Sequence, residues 1–113
     1  MHNKNIIDCS VLLDQLEGDE ALWREIIEVF IDDTHNQILA MEEAISRKDV
    51  AVVQRIAHTI KGTSGTIGVA GLQEAALKME QAMADKDVTF QHVLLGAIRH
   101  EFEQVRKILD GTP

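Results

Sequence analysis

Proline is almost missing from this chain of 113 residues: the single one is Pro113, the last residue, so no helix is interrupted by it. Cysteine occurs once, as Cys9, which excludes an intramolecular disulfide and fits a reducing compartment. Basic residues are scarce too. Lys and Arg number 11 against 19 Asp and Glu, a formal net charge of −8. That balance disfavours nucleic acid or an anionic membrane as the main partner, because both require a basic surface. No apolar run approaches about 18 residues, and Met1 to Asp8 holds no apolar signal core. The expected location is therefore cytoplasmic, with no membrane contact. No segment alternates with period two over a strand's length, so no sheet is expected.

Apolar residues make up 45% of the chain, enough to build a core, and the length suits one domain, residues 1–113, rather than two. The apolar residues recur with helical spacing. Asp8 to Leu16 reads as one short helix with Val11, Leu12 and Leu16 on its apolar side, ended by Gly18. Asp19 is a good N-cap for a long helix from about Glu20 to Ser46. Its stripe is Trp23, Ile27, Phe30, Ile31, Thr34, Ile38, Met41 and Ile45. The first half adds Leu22, Ile26 and Val29 on a second side, and a helix apolar on two sides needs two packing partners. Lys48-Asp49 breaks the pattern, and Asp49 can cap a third helix from Val50 to about Ile67. Gly68 suits a left-handed C-terminal position, and Gly71 falls in the short connection. A fourth helix follows from about Gly71 to Ala84, with Leu72, Ala75, Ala76, Met79, Ala82 and Met83 in heptad spacing. Asp87 can cap the last helix, whose stripe is Val88, Gln91, Leu95, Ile98, Phe102, Val105 and Leu109. The expected fold class is all-α: an antiparallel up-and-down four-helix bundle with a short N-terminal lid helix.

The third helix carries the chemistry. Val53, Ile56, Ala57, Ile60, Ser64 and Ile67 fall on one stripe at about 100° per residue, and His58 lies roughly 150° from its centre. That histidine therefore points away from the core. Gly62 lies one turn later on the same outer face, with Gly65 close beside it. Each glycine inside a helix costs about 1 kcal/mol relative to alanine, and the simplest reason for both is that another molecule comes close. A lone helical histidine is ordinarily just a surface residue, but the setting of His58 meets the needs of phosphoryl acceptance. Imidazole is a nucleophile partly unprotonated near neutral pH. Lys61, one turn on, is a cation for phosphate oxygens. The two glycines leave the neighbouring surface free of bulk. Ser64, on the apolar side, reads as a small packing residue. Across the hairpin, Glu80 and His58 both lie roughly 14–15 Å from the turn. Glu80 could hydrogen-bond to His58, pair with Lys61, or remain a solvated acid.

His58, Ile60, Lys61, Gly62, Thr63, Ser64, Ile67, Gly68 and Leu72 together resemble the pattern of the histidine-containing phosphotransfer (HPt) domain, the relay module of multistep two-component signalling. The outline of the remaining helices is similar as well. A small departure is Val69, where many members have Ala. The resemblance implies that His58 is phosphorylated at Nε2 and exchanges the group with the Asp of a receiver domain. It implies that Lys61 stabilises the phosphate, that Gly62 permits close docking, and that Glu80 stands where the family often has Gln or Glu. The docking face expected around His58 takes in Leu22, Ile26, Val29, Gln54, Arg55, Gly65 and Leu77. The partners implied are response-regulator receiver domains and a hybrid sensor histidine kinase, with this chain a monomer. No cofactor of its own is expected, and Mg²⁺ is expected in the receiver.

Other readings fail on context. Gly62-x-x-Gly65-x-x-Gly68 lacks the preceding strand and the Gly-Lys-Ser/Thr ending of a P-loop. Gly62-Thr-Ser-Gly65 fits the clamp of an RNA-binding KH domain only superficially, given the charge and the missing strands. His2, His35, His92 and His100 show no metal-ligand spacing, and no Glu-x-x-His pair suggests a di-metal bundle; they read as surface residues. An ATP-binding domain does not fit in this length, so a complete histidine kinase is excluded. The chain reads as a phosphotransfer intermediate rather than a stand-alone enzyme, either free-standing or excised from a larger kinase. The alternative is a non-catalytic helical adaptor that uses the same face.

Overall fold

In the computed structural model, which describes Ile7 and residues 10–110, five helices follow one another: α1 (Ser10–Gln15), α2 (Glu20–Ser46), α3 (Val50–Ile67), α4 (Ala70–Ala84) and α5 (Gln91–Asp110). Among the described residues there is no strand. The helices α2 to α5 form the antiparallel bundle, about 43 Å along its longest axis, and α1 lies against α2 with Leu12 buried in the common core. The expected start of the first helix at Asp8, together with His2, Cys9 and the side chains of Val11 and Leu109, lies outside the described residues.

The helix ends are set by the residues between the stripes. Asp19 accepts the Leu22 N–H at 3.0 Å and opens α2. At the other end of α2, Lys48 takes a left-handed conformation (φ 61°). The Lys48 N–H then reaches the Ile45 carbonyl at 3.0 Å and the Asp49 N–H reaches that of Ala44 at 2.9 Å. These two bonds satisfy carbonyls that the helix end would otherwise leave open. Asp49 at once caps α3 by accepting the Val52 N–H at 3.2 Å. The chain thus reverses within three residues. Gly68 ends α3 with φ 93°, a conformation in which any side chain would be strained.

The start of α5 differs from expectation. Asp87 does not cap that helix; its carboxylate accepts the Thr89 N–H at 3.0 Å within a turn, and α5 begins at Gln91. Val88 is therefore outside the helix and 49% exposed. Its heptad spacing was coincidental, because the left-handed Lys86 had already turned the backbone away from helical continuation. Similarly, α4 begins at Ala70, so Gly71 lies in its first turn rather than in the connection.

The core is the sum of the stripes. Met41, Val53, Ile60, Leu72, Met79, Ile98 and Val105 are all essentially inaccessible to water, each worth about 1.5–3 kcal/mol relative to exposure. The most extensive helix contact is between α3 and α4, so the hairpin that carries His58 is also the best anchored part of the bundle. Removal of the cap between α2 and α3 tests this account. Asp49→Ala is expected to lower stability by about 1 kcal/mol, read as an earlier urea midpoint with unchanged helical circular dichroism at low denaturant.

Candidate phosphotransfer site

The six stripe residues of α3, Val53, Ile56, Ala57, Ile60, Ser64 and Ile67, are all buried. With that face turned inward, helical geometry puts His58 outside, and its side chain is 66% exposed. Ser64 is fully buried with its hydroxyl in the core, in keeping with a packing role.

One carboxylate organises the polar part of the site. Glu80, on α4, accepts a hydrogen bond from His58 Nδ1 at 2.6 Å through Oε2 and one from Lys61 Nζ at 2.6 Å through Oε1. Glu80 thus makes both contacts that the sequence allowed as alternatives. Its side chain is only 18% exposed, whereas that of His58 stands in solvent. The hydrogen bond from Lys61 holds the Glu80 carboxyl below the ordinary glutamate value; partial burial opposes this, and the bond from His58 adds to it. A carboxylate has no proton to give, so Nδ1 carries the hydrogen and the lone pair of the neutral ring is on Nε2. Glu80 therefore fixes both the orientation and the tautomer of the ring, and leaves Nε2 without a protein partner among the described residues.

On the other side of His58, α2 and α3 enclose an open groove of about 780 Å³. Its α3 wall includes His58, Thr59, Gly62, Thr63 and Thr66, with Ile67 at its end. The threonine hydroxyls are turned onto carbonyls of their own helix: Thr59 onto Arg55, Thr63 onto Thr59, and Thr66 onto Gly62, each at 3.1 Å. Those hydroxyls are thereby committed within the helix. The α2 wall includes Ile26, Val29, Asp33 and Gln37, spaced so that they fall on one stripe of that helix. A Cβ at Gly62 would meet nothing within 4 Å, so this glycine answers no internal packing need.

The structure divides the expected docking residues between two sides of His58. Ile26 and Val29 line the groove; Leu22 lies one turn before Ile26 on the same stripe, 40% exposed, and Arg55 is exposed one turn before Thr59. Gln54, Gly65 and Leu77 belong to the α3–α4 side instead. Gly65 shares the flank of α3 that holds Lys61, and a Cβ there would run into the Gln73 side chain of α4. Its smallness is thus used at least partly inside the molecule. Leu77 is half-buried, between Gln73 and Glu80 on the face of α4 turned to α3. Asp33, Gln37, Thr59 and Thr66 were not singled out from the sequence, and Thr63 entered only as part of the motif. The stripe that runs from Ile26 and Val29 through Asp33 to Gln37 was the available signal. Among the described residues, no three His, Cys, Asp or Glu side chains are grouped to hold a metal ion, and no helix is long and apolar enough to cross a membrane.

A four-helix bundle with a solvent-facing histidine, held by a carboxylate and flanked by a lysine and a bare glycine, defines the class of histidine phosphotransfer modules. The Hpt domain family model matches residues 25–108, and the chain belongs to that family. Two solved structures are similar in fold. Histidine-containing phosphotransfer protein B from Pseudomonas aeruginosa PAO1 superposes with a TM-score of 0.85 at 21% identity, over 93% of this chain and 91% of that one. The HPT domain of a sensor hybrid histidine kinase from Shewanella gives 0.69 at 19% identity, over 92% and 93%. No curated protein matches this chain at the significance required.

Two measurements check the site as described. Since the Glu80 carboxyl releases its proton more readily in the folded chain than in the unfolded one, it stabilises the fold above the usual glutamate range, and that contribution fades as pH falls through the lowered value. Glu80→Gln should therefore destabilise the protein at neutral pH, with the difference in urea midpoint closing in acid. The open space at Gly62 gives the second: Gly62→Ala should raise stability by up to about 1 kcal/mol, and a lower melting temperature would show that the residue has a packing partner.

Proposed function

We propose that this chain carries a phosphoryl group on Nε2 of His58, to or from the aspartate of a response-regulator receiver domain in a cytoplasmic phosphorelay. The observation that supports this most is the hydrogen bond from His58 Nδ1 to Glu80, 2.6 Å, on a ring otherwise open to solvent. In the forward step the Nε2 lone pair attacks phosphorus of the receiver's acyl phosphate. The N–P bond forms, the P–O bond to aspartate breaks, and the carboxylate leaves with its electron pair. The ring becomes positively charged, and Glu80 stabilises that charge through the Nδ1 proton. The reverse step runs through the same arrangement. Lys61 is tied to Glu80 in the unphosphorylated chain. It serves first to keep that carboxylate ionised and in place, and it stands within one turn of the arriving phosphate oxygens. Gly62 leaves the approach open. Any Mg²⁺ that the transfer requires is assigned to the receiver, and a hybrid sensor kinase is the proposed upstream donor.

The test uses the purified chain and a phosphorylated receiver. Wild type should acquire an acid-labile, base-stable phosphoryl group, and His58→Gln should fold and melt like wild type yet acquire none. Lys61→Ala should be slower in both directions without being inactive. Full acceptance by the His58→Gln variant would sink the assignment, and a chain that binds receivers without ever accepting the group would be a non-catalytic adaptor.

A further inference from the structure

The charge on α2 is unevenly compensated along its length. In the C-terminal half, Glu42 is paired with Arg99 and Glu43 with Arg47. In the N-terminal half, Arg24 pairs with Glu28, and Asp32 and Asp33 have no ion pair among the described residues. This is also the half with the second apolar side. At about 100° per residue, Leu22, Ile26, Val29, Asp33 and Gln37 occupy a single narrow stripe. Val29 is 60% exposed on it. Among the described residues, Asp33 is, apart from His58 itself, the one ionisable residue that lines the groove. Arg55, exposed one turn before Thr59, neither lines the groove nor pairs with Asp33 among the described residues. Lys61 is held by Glu80 on the opposite side of His58, while Lys48, Lys86 and Arg99 line a separate cavity near the α2–α3 and α4–α5 turns.

On the reading of His58 as the phosphoryl carrier, we infer that the cognate receiver seats an apolar side chain in the groove against Ile26 and Val29 and directs a lysine or arginine at Asp33, so that Asp33 selects the receiver. Charge complementarity decides the sign. A basic contact gains an unpaired carboxylate at the edge of an apolar groove, where attraction is screened less than in open water. An acidic contact at the same place meets both Asp33 and the phosphoryl group on His58, and like-charge juxtaposition suppresses wrong partners. The interaction acts on encounter and register, not on the bond-forming atoms, so Asp33 is a positioning residue.

The experiment profiles the whole chain against the purified receiver domains of the source organism, each phosphorylated beforehand, at low and at high ionic strength. With the receiver that wild type uses best, kcat/KM should fall about tenfold as salt rises. Asp33→Asn should lose several-fold at low salt and little at high salt. Asp33→Lys should lose more, through KM rather than through the rate at saturation, and should gain with receivers that wild type uses poorly. Asp33 is exposed, so both variants should keep the wild-type melting curve. Wild-type kinetics that ignore salt, or an Asp33→Lys profile that matches wild type across all receivers, would overturn the inference while leaving phosphotransfer intact. Failure of wild type to accept from any receiver would remove the phosphotransfer reading and this inference with it.

Discussion

Burial of one face of α3 is the constraint on which everything else depends. Val53, Ile56, Ala57, Ile60, Ser64 and Ile67 are at most 6% exposed, and a helix is rigid enough that fixing one face fixes the others. The face opposite holds His58. One flank, with Lys61 and Gly65, is turned to α4; the other, with Thr59, Thr63 and Thr66, forms the groove with α2. The rotation of α3 is therefore held by core packing, and no side chain of the site has to enforce it. The exposed His58 and Gly62 can therefore change without loosening the bundle, whereas Glu80 also contributes to its stability.

Glu80 links the two. It sits on the helix in most extensive contact with α3, and it is less exposed than the histidine it holds. A hydrogen bond to a charged group is stronger than one between neutral groups, and partial withdrawal from water strengthens it further. The carboxylate accepts from an imidazole and an ammonium at once, so three helical residues from two elements form one polar unit. The exposed nitrogen of the ring is the one left free, which gives a static structure a directional chemistry. The groove beside it is lined by threonines and aliphatic side chains, with Asp33 as its carboxylate.

Much of this was legible in the sequence, because stripes and caps are local properties. Helical spacing placed the bounds of α2 and α3, and Asp19, Asp49 and Gly68 marked their ends, since a capping carboxylate or a left-handed glycine acts within a few residues of itself. The same periodicity put His58 outside and Ser64 inside before any tertiary contact was known. Period alone misled at Val88, where a turn interrupts a spacing that continues on paper.

Tertiary structure decided what depends on distance between helices. Residue counts placed Glu80 at the height of His58, but only the packed hairpin shows one carboxylate taking both partners. Only packing separates Gly62, with open space before it, from Gly65, which meets Gln73. Only the facing of α2 and α3 turns Ile26, Val29 and Asp33 into one wall of a groove. The physical reason is the same in each case. Helical periodicity fixes the angle of a side chain about its own axis, whereas which neighbour it meets is set by how two helices approach, and that is a property of the whole core.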